Sequence, residues 1–490
     1  MLFNSLEFVL FFPVVTAGYF WLPQRFRWQW LLAASCIFYM AFVPIYILIL
    51  AITIAIDYVA ALLIDRSEGR ARRRYLAISI VSTCAVLFVF KYYSFFNSNF
   101  LAAAKFFHLS YPVPVLDVLL PIGLSFHTFQ SLSYVIEVYR GNQRPERHLG
   151  IYALYVMFYP QLVAGPIERP QNLLHQFREV HVFDYQRVAN GLKLMAWGMF
   201  KKVVIADRLA LLVNTVYGNP GAYDGPALVV ATVFFAFQIY CDFSGYSDIA
   251  IGAAQVMGFR LMDNFNRPYS ARSIVEFWHR WHISLSTWFR DYVYIPLGGN
   301  RVSRPRWYLN LLLTFTISGL WHGANWTYVV WGFLNGLYLV TGHATMGLRA
   351  RAVTYTGLDR VPVVRSTMAV LATFILVCFA WIFFRARSLA DAWYIVTHLT
   401  VNAEKALDAS WWSTFLTIAK SGMDGTDFAL AIAAIALMEI FHFVQGHSTV
   451  RTMLVARPWP VRYGFYYVLV TSILILGVFH KPQQFIYFQF

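Results

Sequence analysis

Three stretches of this sequence place proton-handling side chains where apolar residues otherwise prevail. Residues 238–252 read QIYCDFSGYSDIAIG and embed Gln238, Asp242, Ser244, Tyr246, Ser247 and Asp248 in an apolar window. Residues 276–300 read EFWHRWHISLSTWFRDYVYIPLGGN, with His279 and His282 one helical turn apart. Residues 318–325 read SGLWHGAN, with His322 between Trp321 and Gly323 at the end of an apolar run. The imidazole pKa lies near neutrality, so a histidine can take a proton and later return it. His322 suits that task best, because Gly319 and Gly323 remove bulk around it and leave room for a thin substrate. A histidine that hydrogen-bonds a helix end is the competing reading, and the residue chemistry alone leaves the two balanced.

The other groups admit more than one use. His279 and His282 on one helical face, with His322 as a third ligand, would suit a metal by residue type. No HExxH pattern or carboxylate at ligand spacing accompanies them, and Arg280 and Arg290 bring positive charge, so no metal is expected. Arg290, with Asp291 as its partner, would hold an anionic carrier group beside His282 in a substrate channel. Alternatively Trp278, Trp281 and Trp288 with the arginines form a belt at a membrane interface. Asp242 and Asp248 are a proton relay, a cation site or ion-pair partners of nearby basic residues, the last being the plainest. No Walker A, GxGxxG or GxSxG pattern points to nucleotide or serine-hydrolase chemistry.

What positions these residues is a membrane scaffold. The 490 residues are 59% hydrophobic, 18% aromatic and 13% charged, against about 25% charged in an average soluble domain, and mean hydropathy is +0.54. Too little charge is present to cover a soluble surface of this size. The net charge of +15 does not indicate nucleic acid, since the arginines sit in short loops between apolar runs, as at Arg70, Arg72, Arg73 and Arg74. Such loops mark the cytoplasmic side. With 65–74 inside, the N-terminus, residue 43, segment 385–426 and the C-terminal tail fall outside, and 349–365 and 447–462 fall inside.

At about 20 residues per crossing, spans are predicted at 7–22, 28–42, 46–64, 75–96, 189–204, 228–258, 307–321, 326–342, 368–384, 428–444 and 464–479, roughly eleven in all. Segment 113–139, interrupted by Pro121, Gly123 and His127, reads as broken or re-entrant, and 152–163 is too short to cross alone. The first run carries no cleavage signature and is expected to remain as a span. Cys36, Cys84, Cys241 and Cys378 show neither metal-ligand spacing nor a disulfide framework. No repeat or linker divides the chain, so one all-α integral domain is expected. Charges at membrane depth face a protein interior or a water-filled cavity, which makes residues 160–325 the lining of a cavity.

The stretches taken together resemble a known family. WHISLSTWFRDYVYIPLGG at 281–299 and SGLWHGANW at 318–326 look like the signature of the membrane-bound O-acyltransferases, and most resemble the bacterial alginate O-acetyltransferase-like branch. MLFNSLEFVLFF, PIGLSFHTFQSLSYVIEVYRG, QLVAGPIERP, QIYCDFSGYSDIAIG, WIFFRARSLADA and the terminal FIYFQF agree in order along the chain. The resemblance implies tilted helices around shorter broken ones enclosing a funnel or tunnel, with a catalytic core at about 121–345 and an exterior elaboration at about 385–426. It makes His322 the essential base and maps the family's second histidine onto His282, which orients a partner or helps stabilise the developing charge. Gln238, Asp242, Ser244, Asp248, Trp278, Arg290, Asp291, Trp321 and Asn325 are the accompanying candidates for substrate binding.

An acyl thioester, acetyl-CoA by expectation, would be substrate rather than bound cofactor. The resemblance further implies the bacterial inner membrane and periplasmic acetyltransferase partners that finish an exported polysaccharide such as alginate. D-alanyl transfer to a cell-envelope polymer is the alternative within the family. A transporter, which would show inverted repeats, or a scaffold without acyl chemistry is the alternative outside it.

Overall fold

The computed structural model describes residues 1–114, 121–410, 423, 425–445, 458–479 and 483–486, and these are helical with no strand among them. Among the described residues, six helical runs are long and apolar enough to cross a bilayer: Pro44–Arg66, Gly69–Phe106, Gly225–Met257, Pro362–Arg385, Gly425–Val444 and Trp459–Leu476. The sequence led to an expectation of about eleven crossings. The difference lies in helices that are too short, such as Leu6–Trp21 and Gln24–Met40. It lies also in helices that carry more polar residues, such as Arg304–His322 and Trp326–Ala344. Of segment 113–139, expected to be interrupted at Pro121, Gly123 and His127, His127 instead lies within a helix. Its helix starts at Leu124 behind Gly123, whose φ of +78° needs a residue without Cβ, while 115–120 lie outside the described residues. Of the exterior segment 385–426, Leu389–His398 is a helix; 411–422 and 424 lie outside the described residues, as do 446–457 of the basic stretch assigned inside.

The chain packs as two compact units, one of Met1–Met195 with Ser247–Asp263, the other of Ala196–Tyr246 with Asn264–Phe490. No loop composition announces this division, because two of its three limits fall inside continuous helices. In the first unit, buried side chains splint the stretch just before residue 264. Gln176 accepts from Arg260 N at 2.8 Å and donates to Arg260 O at 3.0 Å, and Glu168 accepts from Met262 N at 2.6 Å. Burial, the largest influence on it, pushes the Glu168 carboxyl up to about 7.

The second unit holds its own apolar core, in which Trp281, Trp331, Trp381 and Phe384 are almost fully buried. The helix from Tyr185 runs into a π-helical stretch, Phe200–Ala206, before continuing to Gly218. Such widened turns redirect side chains within a helix, and here both Lys201 and Lys202 are buried. Lys202 Nζ meets Asp207 at 2.9 Å and Asp242 at 2.8 Å.

Candidate active site

His322 is the last residue of the Arg304–His322 helix and is buried. Its ring lies 5.0 Å from Trp331, edge-on at 88°, 4.9 Å from Trp321 and 5.4 Å from Phe384. Trp331 comes from the Trp326–Ala344 helix and Phe384 from Pro362–Arg385, so three helices fix the imidazole. The helix pair can close on it because both partners have glycine at the crossing. A Cβ on Gly319 would stand 2.2 Å from Tyr328 O, and one on Gly332 would stand 2.3 Å from Phe315 O. Gly323 is equally occupied, since its Cβ would strike the Tyr328 ring at 2.1 Å. The sequence reading gave these glycines the task of admitting substrate; the structure gives that space to protein packing.

His282 stands at the junction of two short helices, Ile274–Arg280 and Ile283–Phe289. It adopts φ +43°, a left-handed conformation that costs a residue with a Cβ about 1–2 kcal/mol. Because the first helix ends at Arg280, His279 and His282 do not share a helical face: His279 is exposed and His282 is wholly buried. That removes the geometry on which the metal reading rested. Burial pushes the His282 imidazole down to about 3, so the ring is neutral at physiological pH. A continuous series of ring contacts joins the two histidines: Trp331 with Trp381 at 5.8 Å, Trp381 with Trp281 at 5.1 Å, Trp281 with Phe265 at 5.1 Å, and Phe265 with His282 at 6.4 Å. Trp278, Trp281 and Trp288 are all buried. They line the interior and do not form the interfacial belt that their spacing also permitted.

The remaining candidates separate by position. Trp278 packs against Trp331 at 5.8 Å, and its buried indole Nε1 has no hydrogen-bond partner among the described residues. Trp321 flanks His322. Gln238 is buried on the long helix, with Oε1 likewise unpartnered among the described residues. Asp242 is an ion-pair partner, held by Lys202 and also accepting from Ile486 N at 2.8 Å. Ser244 accepts from Lys201 Nζ at 2.8 Å. Asp248 is half-buried and belongs to the first unit. Arg290 pairs with Asp291 at 2.7 Å, as expected, with its side chain 57% exposed. Asn325 caps the following helix by accepting from Thr327 N at 3.0 Å.

Four contributors escaped the sequence reading. Lys201 and Lys202 carried a visible signal, two adjacent charges in an apolar run. Asn264, buried at 1% exposure, carried none beyond its place in DNFNRPY. Phe485, which stacks on Tyr246 at 4.6 Å, was noted only as part of the terminal resemblance.

Comparison with known proteins shows the family. The sequence model of the membrane-bound O-acyltransferase family matches residues 147–384, a stretch containing both histidines. The probable alginate O-acetylase AlgI of Pseudomonas aeruginosa is 41% identical over 397 residues, 80% of this chain and 74% of that protein. The chain belongs to the membrane-bound O-acyltransferase family. The peptidoglycan O-acetyltransferase of Helicobacter pylori is 36% identical over 425 residues, covering 80% of this chain and 78% of its own. The teichoic acid D-alanyltransferase of Streptococcus thermophilus is 30% identical over 249 residues, covering 46% and 57%. This multi-pass O-acyltransferase is therefore an enzyme, and the transporter and scaffold readings fall away.

Proposed function

We propose that this O-acyltransferase serves the O-acetylation of an exported polysaccharide such as alginate, working in the bacterial inner membrane with acetyl-CoA as the cytoplasmic donor. The observation that carries the reading is His322, buried at the end of its helix against Trp331 and Phe384, within a chain 41% identical to an alginate O-acetylase. His322 takes the proton of an acceptor hydroxyl, whose oxygen attacks the thioester carbonyl carbon. The C–S bond then breaks, and the thiolate leaves with the proton that His322 held. The indole N–H of Trp278 is a donor for the carbonyl oxygen as charge develops there. The apolar ring wall keeps water from competing with the acceptor. A funnel through the helices brings donor and acceptor together, and periplasmic acetyltransferases complete the transfer to polymer. D-alanyl transfer is less well supported, because the resemblance to that group covers about half of this chain, 46% and 54%, at 30% and 24% identity.

Purified protein in nanodiscs, given acetyl-CoA and a hydroxyl acceptor, is expected to release free thiol and form acetyl ester. His322→Ala should lower that rate to background while eluting as a monodisperse protein; full activity in this variant would sink the assignment.

A further inference from the structure

Asn264 lies in the loop ahead of the two short helices and is buried together with His282 and Ser284. Its side-chain Oδ1 lies 3.0 Å from His282 Nδ1, 2.9 Å from Ser284 Oγ and 3.3 Å from the backbone N of Ser284. Its own carbonyl accepts from Ile283 N at 2.9 Å. A backbone N–H can only donate, so the amide atom facing Ser284 N is the oxygen. If the amide were turned over, two N–H groups would oppose each other in a buried site. With oxygen in that place, His282 Nδ1 must carry its ring proton to bond with it. A neutral imidazole has one such proton, so Nε2 keeps its lone pair. Phe243 meets the same ring edge-on at 4.6 Å and 87°, which fixes the plane of the imidazole as well as its tautomer.

We infer that Asn264 is a positioning residue that holds His282 as its Nδ1–H tautomer, so that Nε2 keeps a lone pair and can only accept a hydrogen bond. This deepens the acyl-transfer reading and rests on it for its kinetic consequence. An imidazole held this way accepts a hydrogen bond and cannot donate one through Nε2. His282 therefore orients a hydroxyl or another donor, and does not stabilise the oxyanion. The left-handed backbone at His282 fits this assignment. The residue gives up a relaxed conformation, and the bonds from Ser284 and Ile283 to Asn264 hold the strained one in place.

The test combines 15N-histidine NMR of the full chain in nanodiscs, with His282→Gln to assign the signal, and steady-state kinetics. Wild type and Asn264→Asp, which keeps an acceptor oxygen, should show a protonated Nδ1 and a lone-pair Nε2 at residue 282. Asn264→Asp should also retain most of the wild-type kcat. Asn264→Leu should lose that tautomer and lower kcat by about 100-fold with little change in KM. A wild-type signal protonated on Nε2 overturns the inference, as does a folded Asn264→Leu protein with unchanged tautomer and kcat. The NMR arm reads the tautomer whatever the substrate, so absence of acetyl transfer in wild type would count against the proposed function alone.

Discussion

Around His322 and His282 the side chains supply orientation and dryness. Trp331, Trp381, Trp281 and Phe265 form the wall between them, and each favourable ring pair adds about 0.5–1.5 kcal/mol beyond burial. A buried donor left without a partner costs stability, and the Nε1 of Trp278, which has none among the described residues, is the donor proposed above for the carbonyl oxygen. Trp278→Phe keeps the ring contacts and removes only that N–H. It should leave thermal stability near wild type and lower kcat by up to about 100-fold; unchanged turnover would remove Trp278 from the carbonyl site. The histidines and Trp278 were legible in the sequence, because polar groups amid apolar residues stand out. Asn264 was not, since its role depends on three donors converging on one oxygen from residues 18 and 20 positions away.

At the level of elements, buried charge ties together pieces distant in sequence. Lys202 bridges Asp207 and Asp242, and donates to Gln483 O at 3.2 Å. Asp242 in turn takes Ile486 N, while Asn214 bonds Gln483 Oε1 at 3.0 Å. Near the chain's C-terminus, residues 483–486 are thus fastened to the long helix by charges that would otherwise be costly to bury. Breaking one member of a buried ion pair costs about 3–5 kcal/mol. Lys202→Met should accordingly lower the unfolding temperature markedly in a detergent melt, and adding Asp242→Asn and Asp207→Asn should recover part of the loss. If Lys202→Met melts like wild type, the network is not holding the tail. The plain ion-pair reading of Asp242 was available from sequence, but its partner was not, because Lys202 lies 40 residues away and enters through a π-helical turn.

Across the whole molecule, pH acts on the first unit through Glu168. Its folded pKa of about 7 stands above the ordinary glutamate value of 4.5, so the folded state holds an extra proton between those values. Stability is therefore fully present below about 4.5 and is lost as pH rises through about 7, each unit of displacement being worth about 1.4 kcal/mol. Melts of wild type should fall in temperature across that window, while Glu168→Gln, which cannot ionise, should show a flatter profile. Equal pH dependence in the two proteins would exclude Glu168 as the source.

Composition alone determined that this chain lives in a bilayer, because 13% charged residues cannot coat a soluble protein of 490 residues. Motif order determined the family, because the WHISLSTWF and WHGAN stretches keep their types and spacing in one chain. Only the tertiary structure decided which polar residues are spent on fastening. It gave Asp242 to an ion pair, Asn325 to a helix cap and the glycines beside His322 to helix packing. It also separated His279 from His282 by ending a helix at Arg280. The physical reason is that burial and hydrogen bonding depend on which distant backbone and side-chain groups meet, and no periodicity along the chain encodes that meeting.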